Sequence, residues 1–86
     1  MAIQGEHVLQ AIDVMTAWTE PGGTEFAMSR AEQYISEPDG DRRLRNGLIT
    51  VAGMLLNQAV KEATGSNATP EQMRLVLQEI ATRVTQ

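Results

Sequence analysis

The sequence predicts an all-α fold, a compact four-helix domain, and three observations carry that prediction. Apolar residues recur at three- and four-residue spacing through four segments, as one buried face of a helix requires. Turn-forming residues separate the segments, at Pro21-Gly22-Gly23, at Pro38-Asp39-Gly40 and after Gly65. The connections left between them are short, about four or five residues each, which suits a helical bundle.

The first helix is expected over residues 4–19. Val8, Leu9, Ile12, Met15 and Trp18 fall on one face with Ala11 beside them, and this stripe is expected in the core. Pro21 ends the helix because it cannot continue the hydrogen-bond ladder. The second helix is expected over residues 25–36. Thr24 is its expected N-cap, and Glu25 is well placed for the positive end of the helix dipole. Ala27, Ala31, Tyr34 and Ile35 form its packing side, and Trp18 and Phe26 flank the preceding turn, placed to pack across it.

The third helix, long and central, is expected over residues 41–64. Leu44, Leu48, Val51, Ala52, Leu55, Ala59 and Ala63 hold one face along its length, and Ile49, Leu56 and Val60 widen it. Between Leu48 and Leu56 the helix is apolar nearly all round, which predicts burial on several sides or within a dimer. Gly65 stands where a left-handed C-terminal residue is wanted. The fourth helix is expected over residues 70–84. Thr69 is its N-cap, Pro70 its first residue, and Gln72 completes a capping box. Met73, Val76, Leu77, Ile80 and Val84 form its apolar face. Met73, Leu77, Ile80 and Val84 alone have the 4-3-4 spacing of a coiled-coil-like seam.

Length and composition bound what such a bundle can be. The 86 residues suit a single helical domain, 1–86. Surface scaling for a chain of this mass gives roughly 5,000 Å² folded against roughly 13,600 Å² unfolded, so folding buries only about 63%. Apolar burial then about matches the entropy of ordering the chain, and a homodimer through the third or fourth helix is expected to supply further buried area. Aromatic residues are only 3% of the chain, so the core must be aliphatic. The absence of Cys excludes disulfides, thiolate metal sites and a Cys nucleophile. The single His7 excludes a multi-histidine metal cluster within one chain. Ser29, Ser36 and Ser66 lack a nucleophile-elbow context, and no glycine-rich phosphate loop occurs. No enzymatic activity, metal or cofactor is therefore expected. The longest apolar run, Leu48 to Leu56, is too short to span a bilayer. With no charged-then-apolar leader ahead of the body, no membrane association and a cytoplasmic location are expected.

The net charge of −4 is unevenly spread, with −7 over residues 1–41 and +3 over residues 42–86. Arg42, Arg43 and Arg45 form the densest basic patch, at the start of the third helix. Guanidinium groups beside exposed helix amides suit a phosphate, a carboxylate or an acidic partner surface; the same arginines can instead pair with acids of their own chain. Gly47 and Gly53 each cost about 1 kcal/mol relative to Ala inside a helix, which points to close approach of another backbone. Met15 and Met73 fall on apolar faces, whereas Met28 and Met54 lie off the stripes and are better placed for exposed contact. Candidate helix-crossing or dimer-interface residues are thus Gly47, Gly53, Met54, Leu56, Met73, Leu77 and Ile80.

These features predict a non-catalytic protein–protein interaction module: an adaptor, an antitoxin-like inhibitor or a phage-type accessory protein. Its partners are expected to be a second copy of the chain and a further protein. The alternative is a DNA-binding regulator that uses the Arg42, Arg43 and Arg45 cluster. It is the weaker expectation, because the chain is acidic, no aromatic interleaves the arginines, and the acids Glu37 and Asp39 sit in the preceding turn, where phosphates would lie.

Overall fold

The computed structural model describes residues 5–85. They form four α-helices and no strand: α1 Glu6–Trp18, α2 Gly23–Ile35, α3 Gly40–Thr64 and α4 Pro70–Thr85. The expected start of the first helix at Gln4 lies outside the described residues. Among the described residues no helix is long and apolar enough to cross a membrane. Packing divides the chain into two units, Met1–Val51 and Ala52–Gln86, so α3 contributes its first half to one and its second half to the other.

The first unit is built on Val14 of α1, Ala27 of α2 and Leu44 of α3, with Ala31, Tyr34 and Leu48 packed against them. Leu44, at 3% exposure, is the most deeply buried large side chain of this cluster. Two glycines set how closely the helices meet. A Cβ on Gly47 would overlap the His7 carbonyl oxygen and come within 3.1 Å of the Ala11 Cβ, so α1 crosses α3 backbone against backbone there. A Cβ on Gly40 would overlap the Tyr34 carbonyl oxygen, which restricts the start of α3 to glycine. Asp39, at φ 59°, takes the left-handed conformation just before it, one that Asp tolerates better than most residues.

Several expectations for this unit are corrected. α1 buries Gln10, Ala11, Val14 and Ala17, while Leu9, Ile12, Met15 and Trp18 are exposed. The close crossing at Gly47 selects the small-residue face of α1, because large side chains would hold the backbones apart. α2 begins at Gly23, ahead of the expected start. Its N-cap is Gly22 at φ 100°, and Thr24 lies inside the helix and does not cap it. A left-handed glycine lets the chain turn straight into the helix. Phe26 is exposed, with the Arg30 guanidinium 5.7 Å over its ring. Ile35, expected on the packing side, is exposed as well.

The second unit is a helical hairpin. Val60 of α3 is buried, and Leu56, Met73 and Val76 are half-buried. Gly65, at φ 81°, closes α3 by donating its N–H to the Lys61 carbonyl at 2.7 Å. Thr69 and Gln72 form the reciprocal capping box: the Thr69 N–H donates to Gln72 Oε1 at 2.9 Å, and the Gln72 N–H donates to Thr69 Oγ1 at 3.2 Å. Half-buried Asn57 holds the connecting loop, because its Oδ1 accepts the Ala68 N–H at 2.8 Å. The continuous face expected for the third helix ends at Val51. Leu55, next in the register of Leu44, Leu48 and Val51, is 58% exposed, and Ala52, Ala59 and Ala63 are exposed too. Ile49 and Met54 are likewise exposed, so the all-round apolar stretch is not buried on several sides. Within this unit Val60 meets Gln72 and Val76 of α4, on a different side of the helix from Leu55.

Candidate interaction surface

α4 is amphipathic and buries no residue at all. A helix in that state depends on further contact, since most helical stability in proteins comes from packing of an amphipathic face. Met73 and Val76 are partly covered by α3, but Leu77 is 52% exposed, Ile80 47% and Val84 78%. On α3 a Cβ built on Gly53 would find nothing within 4 Å, and Met54 is exposed. The hairpin is therefore closed near its loop, at Val60, and uncovered toward Gly53. Of the sequence candidates, Leu77 and Ile80 share the uncovered face of α4, and Met73 and Leu56 lie at its covered margin. Gly47 lies at the α1–α3 crossing of the other unit.

Beside the closed end lies an open groove of about 270 Å³. Ala59, Val60 and Ala63 form its α3 side, and Gln72, Leu75 and Val76 its α4 side. The two alanines provide a shallow floor, and exposed Leu75 provides an apolar wall. The unit carries Glu62, Glu71 and Glu79 against Lys61, Arg74 and Arg83, so its side chains are formally neutral. The groove is mostly apolar, with Thr64 and Gln72 its polar members.

The arginine cluster is largely engaged by its own chain. Arg43 reaches Glu37 at 3.4 Å, and Arg45 reaches Asp41 at 2.9 Å across one helical turn. Arg42 is exposed and makes no ion pair among the described residues. No geometric feature brings the three guanidiniums onto a common anion.

One polar constellation was not foreseen. Asp13 Oδ2 accepts the Tyr34 hydroxyl at 2.5 Å and an Arg30 N–H at 3.3 Å, tying α1 to α2. The hydrogen bond to Asp13 raises the Tyr34 pKa above its ordinary 10.0, and desolvation and the carboxylate charge add to that shift. Asp13 thus joins Tyr34 and Arg30 of α2 to α1, which makes the group a clasp between helices. Its members are 17 and 21 residues apart, too far for a local pattern to reveal. The groove is not readable from the sequence, because Ala59 and Ala63, one turn apart on α3, meet Leu75 of α4 only across the hairpin.

Comparison with protein-family models, with curated proteins and with solved structures gives no match to this chain.

Proposed function

We propose that the chain is a non-catalytic protein–protein interaction module that works as a homodimer, with the α3–α4 hairpin as its contact surface. One observation carries this reading: α4 buries no residue while presenting Leu75, Leu77, Ile80 and Val84 to solvent. Full burial of such a side chain is worth about 1.5–3 kcal/mol relative to full exposure. Covering what is left exposed on each therefore contributes on the order of 1 kcal/mol. The formal neutrality of the hairpin supports the reading further, because no net charge opposes association with a second copy.

The test is the solution mass of the full chain by light scattering at micromolar concentration. The reading predicts twice the 9.4 kDa of one chain. A stable species of 9.4 kDa over the whole concentration range contradicts it.

A further inference from the structure

We infer that α4 of a second copy packs antiparallel against α4, covering the uncovered end of the hairpin, with a two-fold axis between Leu77 and Ile80. The inference rests on the homodimer reading and specifies its geometry. Its starting point is the exposure along α4: Met73 near the loop is half-buried, Leu77 and Ile80 are about half exposed, and Val84 is the most exposed of the four. On α3 Gly53 has no neighbour within 4 Å of a Cβ position, so the hairpin leaves room for another helix there.

A two-fold interface must be self-complementary: if residue i meets residue j of the partner, j meets i. The 4-3-4 spacing of Met73, Leu77, Ile80 and Val84 reads the same in both chain directions. Antiparallel packing thus places Leu77 against the partner's Ile80 and Met73 against the partner's Val84. The best-covered end of one ridge then meets the most exposed end of the other. The flanking positions bring Arg74 beside the partner's Ala81 and Arg83 beside the partner's Val76, so no like charges are juxtaposed. Antiparallel helices also set each positive dipole end beside a negative one, whereas parallel helices align like ends.

The area is of the right order. α4 spans about 24 Å at 1.5 Å per residue, and a hairpin face two helices wide measures about 20 Å across, given helices about 10 Å in diameter packed 8–10 Å apart. Each copy offers a footprint of about 480 Å². Two such footprints come to about 960 Å², near the roughly 1,000 Å² total expected of a specific interface.

The absence of Cys makes a single engineered label unambiguous. Glu71→Cys carrying a nitroxide is placed in the full chain, and the label–label distance is measured by pulsed electron paramagnetic resonance. Antiparallel packing about this axis separates the two labels by 15 residues of helical rise, about 22 Å along the axis. Parallel packing holds their backbones about 10 Å apart. In parallel, Leu77→Glu with Ile80→Glu raises the dimer dissociation constant at least about tenfold, as expected when central apolar contacts are lost, while far-ultraviolet circular dichroism reports whether α4 remains helical. A dimer with the longer distance supports the inference. A dimer with the shorter distance, or one that the charged double variant leaves intact with its helices formed, overturns this geometry and leaves the homodimer reading standing. A monomeric chain overturns both.

Discussion

Gly47 and Gly53 lie six positions apart in one helix, and replacing each by alanine is expected to move stability in opposite directions. Alanine improves on glycine by about 1 kcal/mol inside a helix, and this gain applies at both sites. At Gly53 nothing of the same chain lies within 4 Å of the new methyl group, so within one chain the gain stands alone. At Gly47 the methyl overlaps the His7 carbonyl oxygen and presses on Ala11, and a backbone atom of a packed helix cannot swing aside as a side chain can. Forcing the helices apart costs about 1–3 kcal/mol for overpacking, and more when a backbone must move. Since the overlap is with backbone, the upper part of that range applies, and Gly47→Ala is expected to lose about 1–2 kcal/mol net of the propensity gain. For a domain of 60–100 residues each kcal/mol shifts Tm by about 4–8 °C. Thermal unfolding by circular dichroism should therefore show Gly53→Ala rising by several degrees and Gly47→Ala falling by at least as much. A Gly47→Ala variant as stable as Gly53→Ala would refute the close α1–α3 crossing.

Three further substitutions probe the clasp, the buried polar group and the hairpin. Tyr34→Phe removes the hydroxyl bond to Asp13 and should cost about 1 kcal/mol at neutral pH. Because the folded-state pKa of Tyr34 is raised, the stabilisation from this bond is complete below pH 10.0 and is lost as pH rises through the higher folded value. The parent should lose stability there relative to the Phe variant, read by denaturant titration at several alkaline pH values. Equal pH dependence in both would remove Tyr34 from the clasp. Gln10 is buried with its Oε1 unpartnered among the described residues, so Gln10→Met, apolar and of similar shape, should raise stability by about 1 kcal/mol in the same assay. Asn57→Ala leaves the Ala68 N–H without its acceptor and should cost about 1–2 kcal/mol, with faster amide exchange at Ala68 and in the first turn of α4; unchanged exchange would contradict the loop anchor.

How much of this was legible depended on how local each signal was. The helices themselves were readable, because capping and punctuation act within a few residues: the Thr69–Gln72 box and the Gly65 terminus appear where spacing puts them. Which face of a helix turns inward was less readable. On α1, periodicity weights Leu9, Ile12, Met15 and Trp18 by their size, but the packing follows Ala11, Val14 and Ala17, because contact at Gly47 requires small residues. The glycine at 47 did signal a close approach; nothing in the sequence says which helix supplies it. In α3 the register of Leu44, Leu48 and Val51 continues in Leu55, yet the two halves of the helix pack in different units and on different faces. The apolar ridge of α4 was legible as a face, and only the structure shows that α3 leaves most of it uncovered. The Asp13–Tyr34–Arg30 clasp was illegible, since its members meet through helix packing alone.

Hydrogen exchange of the α4 amides, followed as the chain is diluted, tests the central claim most directly. Local opening free energies report how well each segment is covered. If a second copy covers α4, the amides from Leu77 to Val84 exchange slowly at high protein concentration. Their protection then falls on dilution, while amides around Leu44 in the first unit stay protected. Protection of α4 that is the same at every concentration would contradict the account, because the helix would then hold its fold without a partner.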